Sequence, residues 1–388
     1  MNILIVSPVS PFPPDKDGTS VIIHGLASKM SERNEVEVLI ISNSRVDEEG
    51  HPFPIKQGRK ETKSRSRVWL PFFPRNSWWT RGIEVKFDGL GEYDIVIILR
   101  FDLGFFIPQL LTKVNGRKFV FYPIDLVSEL YKGLSRQHSN PLKKLYYAYQ
   151  SKLVCLWEQH WFSKVNDIVF VSDRDSQIAQ KKFKIDSNFI GLRNGVEIEP
   201  SRFVVRDVCK EPIITFSGDY SYPPNRLAAI FIINEIAQAF SRLKRPAEFR
   251  LVGRNSENIR NLISNDNFVT IKLTGEVKNI REEIEKADIY CCPLFVGAGM
   301  KNKILQAMSI GIPIISSQIG VDGIQGLVHR KNFILCNETS GIDWSNAIFD
   351  LLDDAANRKL FSNRTQALIA ERYSWEAVIE EFFSLVGE

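Results

Sequence analysis

Short, continuous apolar runs alternate with amphipathic segments along almost the whole chain, and this alternation constrains the fold class more than any other feature. Asn2-Ile3-Leu4-Ile5-Val6-Ser7 opens it. Such a run has no polar face, so it suits a strand covered on both sides in a parallel sheet. A Pro-rich loop runs to Asp17, then Gly18 begins a segment with Val21, Ile22, Leu26 and Met30 at helical spacing. Val36 to Ile41 is the next strand, and the three pieces predict a right-handed βαβ unit. Further strands are expected at 93–99, 118–122 and 167–171, with a long helix over roughly 139–165 before the last of them.

A second series follows, with strands at 213–217, 247–252, 268–273, 288–293 and 312–316. Helices are expected between them at 225–240, 255–264, 279–286 and 301–309, then at 343–353, 356–371 and 374–386. The reading is α/β throughout: two Rossmann-like, doubly wound domains in tandem. The first spans 1–200 and the second 201–372, with 196–211 as a charged, unpatterned linker and 373–388 as a closing helix. Paired domains of this type bind ligands in the cleft between them, at the C-terminal ends of the strands.

A chain of 388 residues has room for two such cores, and 44% hydrophobic with 25% charged residues excludes a disordered chain. A net charge of +4 argues for no nucleic-acid partner. The five cysteines, Cys155, Cys209, Cys291, Cys292 and Cys336, show no Cys-x-x-Cys spacing and fit a reducing compartment. The opening residues lack the basic flank of a signal peptide, and no apolar stretch is long enough to span a bilayer. A cytoplasmic chain is expected, with peripheral association at the cytoplasmic face of the inner membrane as an extension of that reading.

The densest motif runs from Cys292-Pro293-Leu294-Phe295 through Val296-Gly297-Ala298-Gly299-Met300-Lys301-Asn302-Lys303-Ile304-Leu305-Gln306-Ala307-Met308 to Gly311-Ile312-Pro313. It reads as strand, glycine-rich loop, helix with two lysines at its start, glycine stop and strand. Backbone N–H groups at a helix N-terminus, approached through small residues, bind phosphate. The two lysines sit two apart and do not share a helix face, so Lys301, nearer the loop, is the stronger phosphate candidate. Against this stands a plain βα turn with surface lysines. Gly-Lys-Ser/Thr is missing, which excludes a P-loop.

This stretch resembles the donor-binding signature of GT-B glycosyltransferases of the GT4 family. The resemblance extends in order along the chain: Ile3 to Gly18, Asp167 to Ser172, Leu192-Arg193-Asn194-Gly195-Val196, Phe216 to Asn225, Leu251-Val252-Gly253 and Leu273-Thr274-Gly275-Glu276-Val277. It implies two domains facing a central cleft, with the last helix crossing back to the first domain and carrying Trp375, Phe382, Phe383 and Leu385. It implies retaining transfer of a sugar from a nucleotide donor, UDP- or GDP-linked, to a glycan or lipid-linked glycan, with no cofactor and no required metal.

By the same resemblance, Gly275 and Val277 would flank the base, Gly299 and Lys301 would hold the diphosphate, and Gln306 would contact the ribose. Gly218, Asn225, Gly297, Met300, Asn302 and Lys303 belong to the loops and helix that line this donor site. Gln306 replaces the second glutamate of the family's E-x7-E motif, and Ala298 replaces the first. The loop at Asp219-Tyr220-Ser221-Tyr222 also lacks the family's Arg and Lys, which shifts phosphate charge onto Lys301, Lys303 and Arg254.

In the first domain, Gly18 either permits close backbone approach to a ligand or simply turns the chain into a helix. Asp125 follows a strand and either orients an acceptor hydroxyl or caps the helix after it. His24, inside the first helix, reads as structural. Asp173-Arg174-Asp175 matches a metal-binding D-x-D in form, but at a helix start capping by Ser172 or Asp173 explains it better. A basic run from Arg59 to Arg67 followed by Trp69, Phe72, Phe73, Trp78 and Trp79 reads either as a loop suited to an anionic membrane surface, with Pro141 to Tyr147 adding the same chemistry, or as a mobile charged loop next to an ordinary core segment. Two alternatives stand beside the transferase: a nucleotide-sugar epimerase or hydrolase on the same architecture, and a degenerate scaffold or binding subunit that has lost both motif glutamates.

Overall fold

The computed structural model describes residues 1–12, 18–42, 51–62, 74, 80, 83–87, 89–137, 140–199, 203–206, 211–264, 266–296, 300–337 and 339–387. The chain divides into two compact units, Met1–Gly195 with Val378–Glu388, and Val196–Ala377. No described helix is long and apolar enough to cross a membrane.

Among the described residues the first unit has nine strands: β1 (Asn2–Ser7), β2 (Glu35–Ile40), β3 (Ile55–Gln57), β4 (Arg59–Thr62), β5 (Ile83–Lys86), β6 (Glu92–Leu99), β7 (Asn115–Ile124), β8 (Asp167–Phe170) and β9 (Asn188–Gly191). Seven of them form one sheet in the order β3-β2-β1-β6-β7-β8-β9. Among the described residues its strands pair in parallel throughout. β4 and β5 form a separate antiparallel pair, so Arg59 to Thr62 of the expected loop is strand. The rest of that basic and aromatic run lies outside the described residues, apart from Pro74.

Helices α1 (Gly18–Ser31), α2 (Ile107–Lys113), α3 (Val127–Gln137), α4 (Pro141–Phe162) and α5 (Asp173–Lys182) cover this sheet. Ile3 to Val6, Ile95 to Leu99 and Val120 to Tyr122 are buried, as strands covered on both faces require. Trp161 from α4 anchors the core edge-on to Phe101 and Phe105, with ring centroids 4.8 and 4.7 Å away. Ser172 caps α5 by accepting from the Asp175 backbone N–H at 3.1 Å, as the helix-start reading of Asp173-Arg174-Asp175 expects.

The start of α3 is satisfied from other helices. The Leu126 N–H donates to Asp175 Oδ2 at 3.3 Å and the Ser128 N–H to Glu158 Oε1 at 3.0 Å. Glu158 is fully buried, and its Oε2 meets no hydrogen-bond partner among the described residues. Burial pushes its carboxyl up to about 7, against the bonds from Ser128 and the charge of Lys182, which pull it down. The unfolded chain would ionise near 4.5, so Glu158 contributes stability in full below that pH and loses it as pH rises through about 7. Glu158→Gln should flatten this decline. At pH 8 the variant is expected to gain about 1–2 kcal/mol, less than the full linkage because Lys182 loses a nearby charge. Thermal midpoints of both proteins at pH 5 and pH 8 test this. Equal declines in the two would show that the carboxyl is ionised throughout.

The second unit carries β10 (Ile213–Ser217), β11 (Ala247–Val252), β12 (Val269–Leu273), β13 (Ile289–Cys292), β14 (Ile314–Ser316) and β15 (Ile334–Leu335). Their order is β12-β11-β10-β13-β14-β15, all parallel, with the order reversing between β10 and β13. This is the doubly wound dinucleotide-type order. Its helices are α6 (Pro223–Phe231), which passes through a π turn at Ile232–Ile236 into α7 (Ala237–Arg242), then α8 (Ile280–Ile284), α9 (Asn302–Ile310), α10 (Gln318–Val321), α11 (Gly341–Asp353) and α12 (Ala355–Arg372). The stretch expected as a helix over 255–264 is a 3-10 helix at Ser256–Leu262.

The last helix, α13 (Trp375–Val386), starts in the second unit and ends in the first. Trp375, Val378 and Phe382 are buried, and Glu381 pairs with Arg193 at 2.6 Å. Leu385, expected on the packed face, is 43% exposed.

Candidate functional site

In the second unit, strand order reverses between β10 and β13, so the loops leaving them splay apart and open a crevice at their C-terminal ends. The side chain that reaches this point is Lys303, from the first turn of α9. Its Nζ donates to Asn225 Oδ1 at 2.6 Å and lies 4.5 Å from the centre of the Phe216 ring at the end of β10. Asn225 is held in turn by its own donation to the Asp219 carbonyl at 2.9 Å. A Cβ added to Gly218 would stand 2.9 Å from Lys303 Nζ and 2.6 Å from Asn225 Nδ2, so only glycine leaves this nest its shape. Burial pulls the Lys303 ammonium down to about 8, and nearby Lys301 adds to the effect. The group remains a cation at neutral pH, poorly hydrated, beside a backbone loop.

The spacing of the lysines favours Lys301 as the charge nearest the loop; Lys303 also reaches the crevice, near enough to Lys301 for the two charges to act on each other. The reason is where the helix begins. Lys301 has extended backbone and occupies the N-cap position, with no capping bond from its side chain, while Lys303 is already inside the first turn. Asn302 begins the helix and Gln306 lies one turn further along it, both half-buried. Met300 is buried. Gly297, Ala298 and Gly299 lie outside the described residues.

Arg254 already has a carboxylate partner. Its guanidinium pairs with Asp219 Oδ2 at 3.3 Å, and Asp219 Oδ1 accepts from the Ser221 N–H and Oγ and from Asn255 Nδ2 at 2.9, 2.7 and 2.9 Å. Burial raises the Asp219 carboxyl, but those hydrogen bonds and the Arg254 charge together outweigh it and hold the group below its usual range. Gly275 has φ +67 and open space where a Cβ would lie, beside the end of β12. Its N–H donates to Ser256 Oγ at 2.9 Å. Val277 follows it, half-buried.

In the first unit, Gly18 is the exposed first residue of α1. Asp125 sits just beyond β7, close enough to Tyr122 for its charge to help raise that phenol. The residue before it, Ile124, has φ +79, a region that β-branched residues avoid. At the end of the neighbouring strand β6, Arg100 has φ +78 and pairs bidentately with buried Asp102. Two strained residues at adjacent strand ends mark this edge as shaped for more than packing. Sequence reasoning missed Arg100. The signal available was its position directly after the apolar run ending at Leu99. His24 packs edge-on to Phe12 at 5.2 Å, and burial lowers its imidazole.

Residues 211–354 match the family described as glycosyl transferases group 1. An uncharacterized glycosyltransferase of Methanocaldococcus jannaschii is 22% identical over 307 residues, covering 75% of this chain and 74% of that protein. The structure of sucrose-phosphate synthase from Thermosynechococcus elongatus is similar with a TM-score of 0.68 at 14% identity, over 99% of this chain and 98% of the other. Anabaena HepE, solved in complex with UDP-glucose, is similar with a TM-score of 0.65 at 13% identity, over 99% and 100%. At such identities the structural likeness speaks for fold, and the match over 211–354 speaks for the chemistry housed in the second unit. The whole chain shares the GT-B fold of these structures, and residues 211–354 of its second unit match the glycosyl transferases group 1 family.

Proposed function

We propose that the chain transfers a sugar from a nucleoside-diphosphate donor, UDP- or GDP-linked, to a glycan or lipid-linked glycan of a polysaccharide or glycoconjugate. The reading places it in the retaining, GT4-like group, working without a metal. The observation that carries it is the Lys303 ammonium lodged between Gly218, Asn225 and Phe216 at the switch point of the second sheet. A cation and a helix N-terminus at one crevice suit a diphosphate.

On this reading the diphosphate lies against the start of α9, with Lys303 and Lys301 supplying positive charge. Gln306 meets the ribose hydroxyls, and Gly275 and Val277 flank the base. The sugar C1–oxygen bond to the β-phosphate breaks as the acceptor oxygen bonds C1 from the same face. The acceptor proton passes to the departing phosphate oxygen, and the lysines stabilise the charge that gathers on it. In the first unit, Asp125 orients the acceptor hydroxyl and Gly18 allows the acceptor close to the backbone. A membrane surface, met through 59–79, fits an acceptor carried on lipid. HepE's complex with UDP-glucose supports a uridine donor here.

The direct test is calorimetric titration with UDP, GDP, ADP, CDP and dTDP in the presence of a chelator. One nucleotide should bind, and at 100 times its dissociation constant it should stabilise the fold by about 2.7 kcal/mol. Indifference to all five would overturn the donor site and favour a scaffold that has kept the fold without the chemistry.

A further inference from the structure

Helices α3 and α4 form a packed antiparallel hairpin at the surface of the first unit. Ser135 Oγ donates to the Lys144 carbonyl at 2.9 Å and Ser151 Oγ to the Ser128 carbonyl at 2.8 Å. Asn140 caps α4 by accepting from the Leu142 and Lys143 N–H groups, so the helix holds its shape to its first turn. Its inner face buries Gln150, Leu153, Val154, Glu158, Trp161 and Phe162.

The outer face is unusual for a solvated helix. Leu142 is 77% exposed, Leu145 69%, Tyr149 40% and Leu156 66%. With exposed Lys152, these positions follow each other by three, four, three and four residues, one continuous stripe about 21 Å long. Leu134, at the hairpin's other arm, is also exposed. The charges that the two helices contribute between Leu130 and Trp157 are all positive, with Glu129 just beyond, paired to Lys132 and Lys182. From Leu130 to Trp157 the chain has Lys132, Arg136, Lys143, Lys144 and Lys152 and no Asp or Glu.

We propose that this hairpin docks on an anionic lipid bilayer, with α4 lying in the interface plane. The apolar stripe enters the acyl boundary and the flanking lysines meet lipid phosphates, with Lys152 reaching outward along its stem. Charge decides between this and a second copy of the chain. Pairing two such faces would set like charges against each other along the seam, whereas an anionic surface neutralises them. The inference goes beyond the donor-site reading and stands on different residues.

The test is co-sedimentation of the full chain with sucrose-loaded vesicles of phosphatidylcholine alone or with about one third phosphatidylglycerol. Binding is expected only to the anionic vesicles. Each lysine near such a surface multiplies binding about fivefold, so K143E/K144E should lower the partition coefficient well over tenfold. L142E/L145E should lower it at least as far. Both pairs sit on exposed surface, so circular dichroism and thermal midpoints should match the parent. Lys303→Met should bind vesicles like the parent while losing nucleotide, which separates failure here from failure of the donor site. Equal binding to neutral vesicles, or anionic binding that ignores both double variants, overturns the proposal. So does a parent dimer in sedimentation equilibrium that L142E/L145E dissolves while neither protein binds lipid.

Discussion

Lys303→Met is expected to weaken nucleoside-diphosphate binding about 10- to 150-fold, the range for losing a charge-assisted hydrogen bond of about 1.5–3 kcal/mol. Arg254 keeps its pair with Asp219 and Lys301 keeps its charge at the N-cap position, so the loss is that of one charged contact and not of the whole site. The methionine keeps an apolar stem of similar length and removes the ammonium that lies over the Phe216 ring. The parent should also show a pH dependence that the variant lacks. Lys303 titrates near 8 in the unliganded protein, and the charged form is the one that binds phosphate. Affinity should therefore hold steady below pH 8. Above it, affinity should fall by up to about tenfold per pH unit, since binding must then take up a proton. Lys303→Arg keeps its charge across this range and should lose the slope. Calorimetric titrations between pH 7 and pH 9.5 measure both effects. An unchanged dissociation constant in the methionine variant would remove Lys303 from the site.

The ranking of the two lysines shows where sequence reasoning stops. Their spacing is visible in the sequence, but which of them meets Asn225 and Phe216 depends on whether the first helical residue is 301 or 302, within the usual blur of a helix boundary. The buried strands were legible because both faces are covered. The runs at 213–217 and 247–252 coincide with β10 and β11 to the residue. Strands without a continuous apolar run were not. β4 reads Arg-Lys-Glu-Thr, and β15 is two residues long. The strained ends at Arg100 and Ile124 were illegible for a different reason. Neither residue type favours positive φ, so only the surrounding fold imposes it. The exposed leucines of α4 were read by composition alone, and only the burial of the opposite face shows that they form a stripe.

Gly253→Ala should cost the second unit about 3–5 kcal/mol, among the largest losses a single methyl group can cause. Gly253 has φ +124, where a side chain pays strain of about 1–3 kcal/mol before meeting any neighbour. Here it also meets the Gly218 carbonyl, with the oxygen in hard collision and the carbon at 3.1 Å. Neither backbone can retreat. The Gly218 N–H donates to the Val252 carbonyl at 2.9 Å, and the Gly253 N–H donates to the Gly275 carbonyl at 3.2 Å. Three strand-end loops are thus tied together where β10, β11 and β12 finish. Moving one drags Gly218 and its neighbour Asn225 away from Lys303 and disturbs Gly275, so stability and nucleotide binding should fall together. The expected drop in thermal midpoint is about 10 °C for a domain of this size. Gly275→Ala is the internal comparison, since its φ is also positive but its Cβ would enter open space. It should cost only the strain, about 1 kcal/mol and a few degrees. Equal losses in the two variants would mean that strain alone, and not contact between the loops, makes glycine necessary at 253.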